Sequence, residues 1–215
     1  MIAANLHANL WIAYSACLLG MASPGPSNLA IMGVAMNAGR LPALALSVGV
    51  LAGSLVWGLL ASFGLASVLA AYSSALIIMK LGAAIYLLWL AYKAARSALS
   101  TQDPLTAALP THEAGYVRLF LRGAGMHLTN PKAIFVWLSI VSMGLPAAPK
   151  VTDSLAIVAG CASIGMFVFG TYAMVFSTPL ARTIYRSLRR WFEAALALLF
   201  GYAGIRMLLS ERPGL

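Results

Sequence analysis

Apolar residues run along this chain in six long stretches, separated by short connections where polar and basic residues gather. The first spans about Leu6 to Asn37, the second about Pro42 to Ala70 and the third about Ala75 to Ala94. The fourth starts near Tyr116 or Phe120 and reaches about Leu145; the fifth covers Ser154 to Phe176 and the sixth Trp191 to Leu209. A helix needs about 20 apolar residues to cross the hydrocarbon core of a bilayer. The pattern therefore predicts an all-α integral membrane fold with six transmembrane helices. The one longer polar stretch, Ser100 to Gly115, reads as a loop.

Two of the six stretches are broken in the middle. The first carries Ser23-Pro24-Gly25-Pro26-Ser27-Asn28 and the fourth carries His127-Leu128-Thr129-Asn130-Pro131-Lys132. Proline donates no amide hydrogen and clashes with the preceding turn, so each break predicts two shorter helices in place of one. Within a membrane, non-helical backbone is tolerated where it is buried in protein or lines a water-filled cavity. Matched breaks in two halves of a membrane protein point to a transporter's binding site near the midplane.

Six spans divide as three plus three. An odd number per half sets the second half in the opposite orientation, which predicts two inverted three-helix repeats. On this reading residues 1–215 form a single transporter domain, with repeats at 1–99 and 116–215 and a cytoplasmic loop at 100–115. Gly-Met precedes both breaks, and Gly82 and Gly201 recur near the starts of spans three and six. In span two, Gly49-x-x-x-Gly53 is a spacing that lets another helix approach closely.

Composition agrees. The 215 residues are 61% hydrophobic and 9% charged, against about 25% charged in a typical soluble domain. Mean hydropathy is +0.89. The net charge of +9 does not point to nucleic acid, because the basic residues lie between apolar spans. Arg40, Lys93, Arg96, Arg118, Arg122, Arg182, Arg186, Arg189 and Arg190 all fall in connections on one side, with Lys150 and Arg212 on the other. The positive-inside bias then puts the odd-numbered loops in the cytoplasm and both termini outside. The four arginines after span five serve as a topology signal or as a surface helix on anionic lipid. Residues 8–22 have no preceding Lys or Arg and a poor cleavage site, so they read as a retained span.

Each break sets up chemistry for small polar ligands. A helix restarting after Pro26 or Pro131 presents unpaired amides and the positive end of its dipole, which suit a carboxylate. The preceding half-helices end in carbonyls near Ala22, Ser23 and Leu128, which suit an ammonium. Backbone charge of both signs fits a zwitterion such as an amino acid. The expected substrate-binding residues are Pro24, Gly25, Pro26, Ser27, Asn28, Asn130, Pro131 and Lys132. For Ser27, Asn28 and Asn130 capping of the resumed helices is the commoner role, and it is compatible with substrate binding. Lys132 either meets a substrate carboxylate and takes part in coupling, or runs its stem to the surface. Lys80 and Arg206, near span ends, fit the surface role better. His127 is a coupling residue or a hydrogen-bonded packing residue.

The five acids, Asp103, Glu113, Asp153, Glu193 and Glu211, all read as lying in loops or at span ends. His7, His112 and His127 are widely spaced and build no metal site. Cys17 and Cys161 sit in apolar runs and read as small buried residues rather than a disulfide. Walker, Gly-x-Ser-x-Gly and His-Glu-x-x-His motifs are missing, so the pattern predicts neither an ATPase nor a hydrolase of those types, and no cofactor.

Taken together, Ser23-Pro24-Gly25-Pro26-Ser27-Asn28, Asn37-Ala38-Gly39-Arg40, Lys80-Leu81-Gly82-Ala83-Ala84-Ile85-Tyr86-Leu87, Phe120 to Gly123 and Asn130-Pro131-Lys132 give the chain a resemblance over nearly its whole length. It resembles the lysine exporter (LysE/RhtB) family of bacterial amino-acid exporters. The resemblance implies an inner-membrane secondary transporter, not an enzyme, that moves amino acids or close derivatives out of the cytoplasm. Family substrates include basic amino acids, threonine, homoserine and its lactone, leucine and cysteine-pathway metabolites. The resemblance also implies the proton-motive force as driver and a homodimer in membrane lipid as the assembly. The cadmium resistance of some relatives finds no ligand cluster here. Many relatives carry an acid or a second asparagine close after Pro-Gly-Pro, where this chain has Ser27-Asn28. That departure favours a neutral substrate such as threonine, homoserine or leucine over lysine or arginine. An exporter of basic amino acids, a channel and a non-transporting membrane scaffold are the competing readings.

Overall fold

The computed structural model describes residues 2–23, 25–65, 73–100, 115–145 and 150–209. Among these residues the chain is all helical, with no strand. The elements are α1 (Ile2–Ala22), α2 (Pro26–Ala38), α3 (Arg40–Leu60), α4 (Ser73–Leu99), α5 (Tyr116–Leu128), α6 (Pro131–Gly144), α7 (Val151–Val175) and α8 (Pro179–Leu209). Pro24, the polar stretch 101–114, residues 66–70 at the end of the second span and the side chain of Lys80 lie outside the described residues.

Both expected breaks are present. α1 gives way to α2 at the first and α5 to α6 at the second, with Pro26 and Pro131 as the first residues of the resumed helices. Proline is tolerated there because the first helical amides have no intrahelical partner. The turn from α2 to α3 is made by Gly39, at φ +89°, a left-handed backbone that glycine adopts without a Cβ penalty. α3 runs on into a π-turn over Ala61–Leu65, where Phe63 leaves helical geometry and Gly64 takes φ +137°.

Two helical stretches, Arg40–Gly64 and Val151–Val175, are each 25 residues long and apolar enough to cross a bilayer; Leu10–Ala22 and Pro131–Gly144 are shorter apolar helices. Large apolar side chains face outward, among them Trp11, Leu19, Phe167, Trp191 and Leu198. Water-soluble monomers rarely expose apolar surface on that scale.

The helices group into two compact units, each drawing on both halves of the sequence. The first takes Met1–Val68 and Leu109–Thr178, the second Leu69–Ala108 and Pro179–Leu215. In the first, α3 packs against α2, α5, α6 and α7, while α1 lies against α6 and α7. Its core includes Cys17, Ile31, Leu46, Val50, Trp137, Ile140, Ile157, Cys161 and Phe169. Both cysteines are free and buried, the packing role their apolar surroundings predict.

The Gly49-x-x-x-Gly53 spacing of α3 receives α5. A Cβ on Gly49 would meet the backbone carbonyl of Phe120, one on Gly123 the carbonyl of Leu46, and one on Gly53 would lie 2.9 Å from the Ala124 oxygen. Small residues on both helices let the backbones touch, which is how helices associate when lipid removes the hydrophobic drive.

In the second unit α4 packs against α8. Arg182 to Arg190, read as a topology signal or a surface helix between spans, belong to a continuous 31-residue helix beginning at Pro179. Neither proline nor glycine occurs from Leu180 to Phe200, and arginine, leucine and alanine are strong helix formers. Glu193 sits inside this helix at 6% exposure, one turn after the similarly buried Arg189. The Arg189 guanidinium donates to the Ser100 carbonyl at 2.7 Å. Arg206 is exposed and donates to the Tyr202 hydroxyl at 3.1 Å, consistent with the surface role expected of it.

Candidate functional site

The two breaks meet in the first unit, around one small cavity of about 30 Å³. The first break contributes Gly20, Met21, Gly25, Ser27 and Asn28; the second contributes His127, Asn130, Lys132, Ala133, Val136 and Trp137. Ser54 of α3 and Phe169 of α7 complete the lining. No acid is among these residues.

The contacts begin with Lys132. Its ammonium donates to the Ser23 carbonyl at 2.6 Å, so the second residue of α6 closes the end of α1. Its stem crosses Gly25, where a Cβ would lie 3.1 Å from Nζ and 3.2 Å from Cδ. Of the two roles open to Lys132, the surface one is therefore not adopted. The side chain turns inward, to the opposite break.

Ser27 and Asn28 do not cap α2. The N-cap is Gly25, with extended backbone and no side-chain cap. The Ser27 hydroxyl instead pairs with His127 Nδ1 at 2.9 Å, and Asn130 Nδ2 approaches the same hydroxyl at 3.5 Å. Asn28 turns backward and donates to the Met21 and Ser23 carbonyls, at 2.8 and 3.1 Å. Asn130 does cap its helix, its side-chain oxygen accepting from Lys132 N at 3.1 Å. The restart of α6 is thus capped by a side chain, and the restart of α2 is not.

The carbonyls ending the half-helices are met by protein donors. Tyr172 donates to Ala22 O at 2.9 Å, and Trp57 Nε1 donates to Leu128 O at 3.2 Å. His127 is buried and stands edge-on to Phe169, ring centres 6.1 Å apart. Trp137 donates from Nε1 to Ser54 Oγ at 3.0 Å, while its ring covers Gly58, whose Cβ would come within 2.6 Å of it.

Of the expected site residues, Gly25, Ser27, Asn28, Asn130, Lys132 and His127 line the cavity together. Pro26 and Pro131 start the helices that carry them, and Pro24 lies outside the described residues. Sequence reasoning missed Ser54, Trp57, Trp137, Phe169 and Tyr172. One signal was available for the tryptophans, because an indole N–H in an apolar span needs an acceptor. Gly58 and Ser54 continue the small-residue face that Gly49 and Gly53 begin. No cluster of three or more metal-ligating side chains occurs among the described residues.

The electrostatics are one-sided. Lys132 carries a positive charge at the second position of α6 and beside the N-cap of α2, so it lies at two positive helix ends. The Ser23 carbonyl offsets part of this, and no side-chain carboxylate does so within the lining. Such a site favours an anionic group and disfavours a second cation.

Comparison with known proteins supplies the family. The family model described as "LysE type translocator" matches residues 18–211. The chain is 28% identical to a "Threonine efflux protein" of Salmonella typhi and 27% identical to one of Escherichia coli strain K12. Each match covers 90% of this chain and 94% of the relative. It is 35% identical to the "Chemotactic transduction protein ChpE" of Pseudomonas aeruginosa, over 70% of this chain and 75% of that protein. No solved structure matches the chain significantly. The family match spans most of the helical chain and both breaks, and it makes this a membrane transport protein rather than an enzyme. The chain belongs to the LysE type translocator family.

Proposed function

We propose that this protein is a secondary transporter exporting amino acids or close derivatives across the bacterial inner membrane. Neutral substrates such as threonine, homoserine or leucine are favoured. The observation that carries the reading is the convergence of both helix breaks on one cavity, with Lys132 of the second break held 2.6 Å from the Ser23 carbonyl of the first. The threonine efflux relatives support the same substrate class.

The charge of the cavity argues for neutral substrates. A zwitterion brings a carboxylate to the ammonium of Lys132 and to the uncapped start of α2. A lysine or arginine substrate would add a second cation where no side-chain carboxylate lines the wall. The cavity, about 30 Å³, has room for about two waters. An amino acid enters only after the walls part, as alternating access requires. In the proposed arrangement six spans form two inverted repeats, both breaks lie near the midplane and both termini are outside. A homodimer exports its substrate on the proton-motive force, with Lys132 and His127 as the coupling residues.

The test is counterflow in proteoliposomes loaded with one unlabelled amino acid at a time. Accumulation of labelled threonine, homoserine or leucine supports the proposal. Accumulation of lysine or arginine alone overturns the neutral preference. The ChpE relative keeps a signalling or scaffold role as the second reading. It predicts no counterflow with any member of the panel from correctly inserted protein.

A further inference from the structure

The Lys132 ammonium occupies a place that repels it. It sits at the start of α6 and in contact range of Gly25, the N-cap of α2, so both nearby helix dipoles present their positive ends. Its ammonium donates to the carbonyl of Ser23, at 2.6 Å. That carbonyl belongs to the C-terminal end of α1, the negative end of a helix, where an ammonium is favoured. The same oxygen also accepts from Asn28 Nδ2 at 3.1 Å. A carbonyl with negative dipole behind it and an ammonium hemmed by positive dipoles therefore face each other across one hydrogen bond.

We propose that Lys132 is a tethered stand-in for the substrate's ammonium, and that an aminocarboxylate binds by inserting into the Lys132–Ser23 hydrogen bond. The inference rests on the amino-acid reading above. The substrate ammonium takes over the Ser23 carbonyl, and the substrate carboxylate receives the released Lys132 ammonium together with the uncapped amides at the start of α2. One hydrogen bond is replaced by two, each about 2.9 Å long, in series through the substrate. No proton changes hands. The lysine stem has four flexible carbons, and its retraction together with the parting of the walls makes room for the substrate between the two bonds. Gly25 makes the crossing possible, since a Cβ there would press on the stem.

Insertion also explains how the narrow cavity widens. The Lys132–Ser23 bond ties α6 to the end of α1 in the free protein, and a ligand with both charged groups is what replaces it. A ligand with the carboxylate alone leaves the Ser23 carbonyl without its cation. A ligand with the ammonium alone drives Lys132 back toward two positive helix ends without bringing a carboxylate to receive it. Sites built around buried polar partners reject analogues that lack one of them strongly.

The experiment is competition against labelled threonine in proteoliposomes. The competitors are threonine, threonine carboxamide (ammonium without carboxylate) and 2,3-dihydroxybutyrate (carboxylate without ammonium). Wild-type protein should bind both analogues at least about 100-fold more weakly than threonine. In Lys132→Met, threonine affinity should fall at least about 10-fold. Discrimination against the carboxamide should shrink to within about 3-fold, while discrimination against the hydroxy acid persists, because the Ser23 carbonyl remains. A Lys132→Met protein with wild-type affinity and an unchanged analogue profile would overturn the inference and leave the exporter reading intact. So would a wild-type protein that accepts either analogue within about 3-fold of threonine, a result that needs no variant to fold. Wild-type protein that responds to no amino acid overturns both.

Discussion

Lys132 Nζ donates to the Ser23 carbonyl at 2.6 Å across 109 residues of sequence, joining the start of one resumed helix to the end of the other half's first helix. Neither residue belongs to an ordinary helix interior. Ser23 offers a carbonyl because Pro26 restarts the chain after it, and Lys132 reaches that carbonyl because Pro131 starts α6 one residue before it. Two local steric events thus become a single tertiary contact, and the cavity forms around it.

The prolines should therefore matter to transport more than to insertion. Replacing Pro24 and Pro26 together by alanine removes the steric block and lets α1 continue toward α2. The carbonyl of Ser23 would then be consumed within the helix. We expect threonine counterflow to fall at least about 10-fold, a loss of about 1.4 kcal/mol or more in transition-state stabilisation, with normal membrane insertion. Wild-type efflux from this double variant would remove the breaks from the site.

The α3–α5 contact sets a separate expectation for stability. Gly49 and Gly123 each face a backbone carbonyl of the other helix, and backbone cannot step aside as a side chain can. Gly49→Val should cost about 1–3 kcal/mol through overpacking. Thermal unfolding in detergent reads the effect. Gly125, with open space at its Cβ position, supplies the control, since Gly125→Ala should leave the midpoint unchanged or raise it.

How much of this was legible beforehand depended on whether the cause was local. Pro26, Pro131 and Gly39 act on their own backbone, so both breaks and the α2–α3 turn can be read directly. The polarity of the site followed too, since any helix restart presents amides. Ser27 was read as a site residue or a cap, and its actual partner was not legible because His127 Nδ1 lies 100 residues away, where no local rule finds it. The arginines of α8 were read as a topology signal or a surface helix, and that they join the sixth span in one helix was not legible, because charge interrupts a hydropathy pattern without interrupting a helix. The carbonyls near Ala22 and Leu128 were expected to await a ligand cation, and they are met instead by Tyr172 and Trp57.

Trp137 offers a test of how firmly the cavity wall is held. It is 1% exposed, and its indole N–H is matched to Ser54 Oγ at 3.0 Å. Trp137→Phe keeps an aromatic ring over Gly58 but strands the Ser54 hydroxyl and removes ring volume. We expect a loss of about 1–2 kcal/mol in detergent unfolding. The looser wall should also admit larger side chains, so the counterflow ratio of leucine to threonine should rise. An unchanged ratio would mean that Trp137 supports the fold without shaping the pocket.

The second unit carries a prediction that involves no substrate. Arg189 and Glu193 lie one turn apart on α8, at 7% and 6% exposure, with Arg189 also donating to the Ser100 carbonyl. Removing one member of a buried pair leaves the other charge uncompensated, which costs about 3–5 kcal/mol, whereas replacing both by apolar residues is often neutral. Glu193→Leu should therefore unfold at markedly lower temperature than wild type. Arg189→Leu with Glu193→Leu should recover most of the loss, short of the bond to Ser100. A double-mutant cycle measures the coupling directly. If the two single losses simply add, the two charges do not compensate each other.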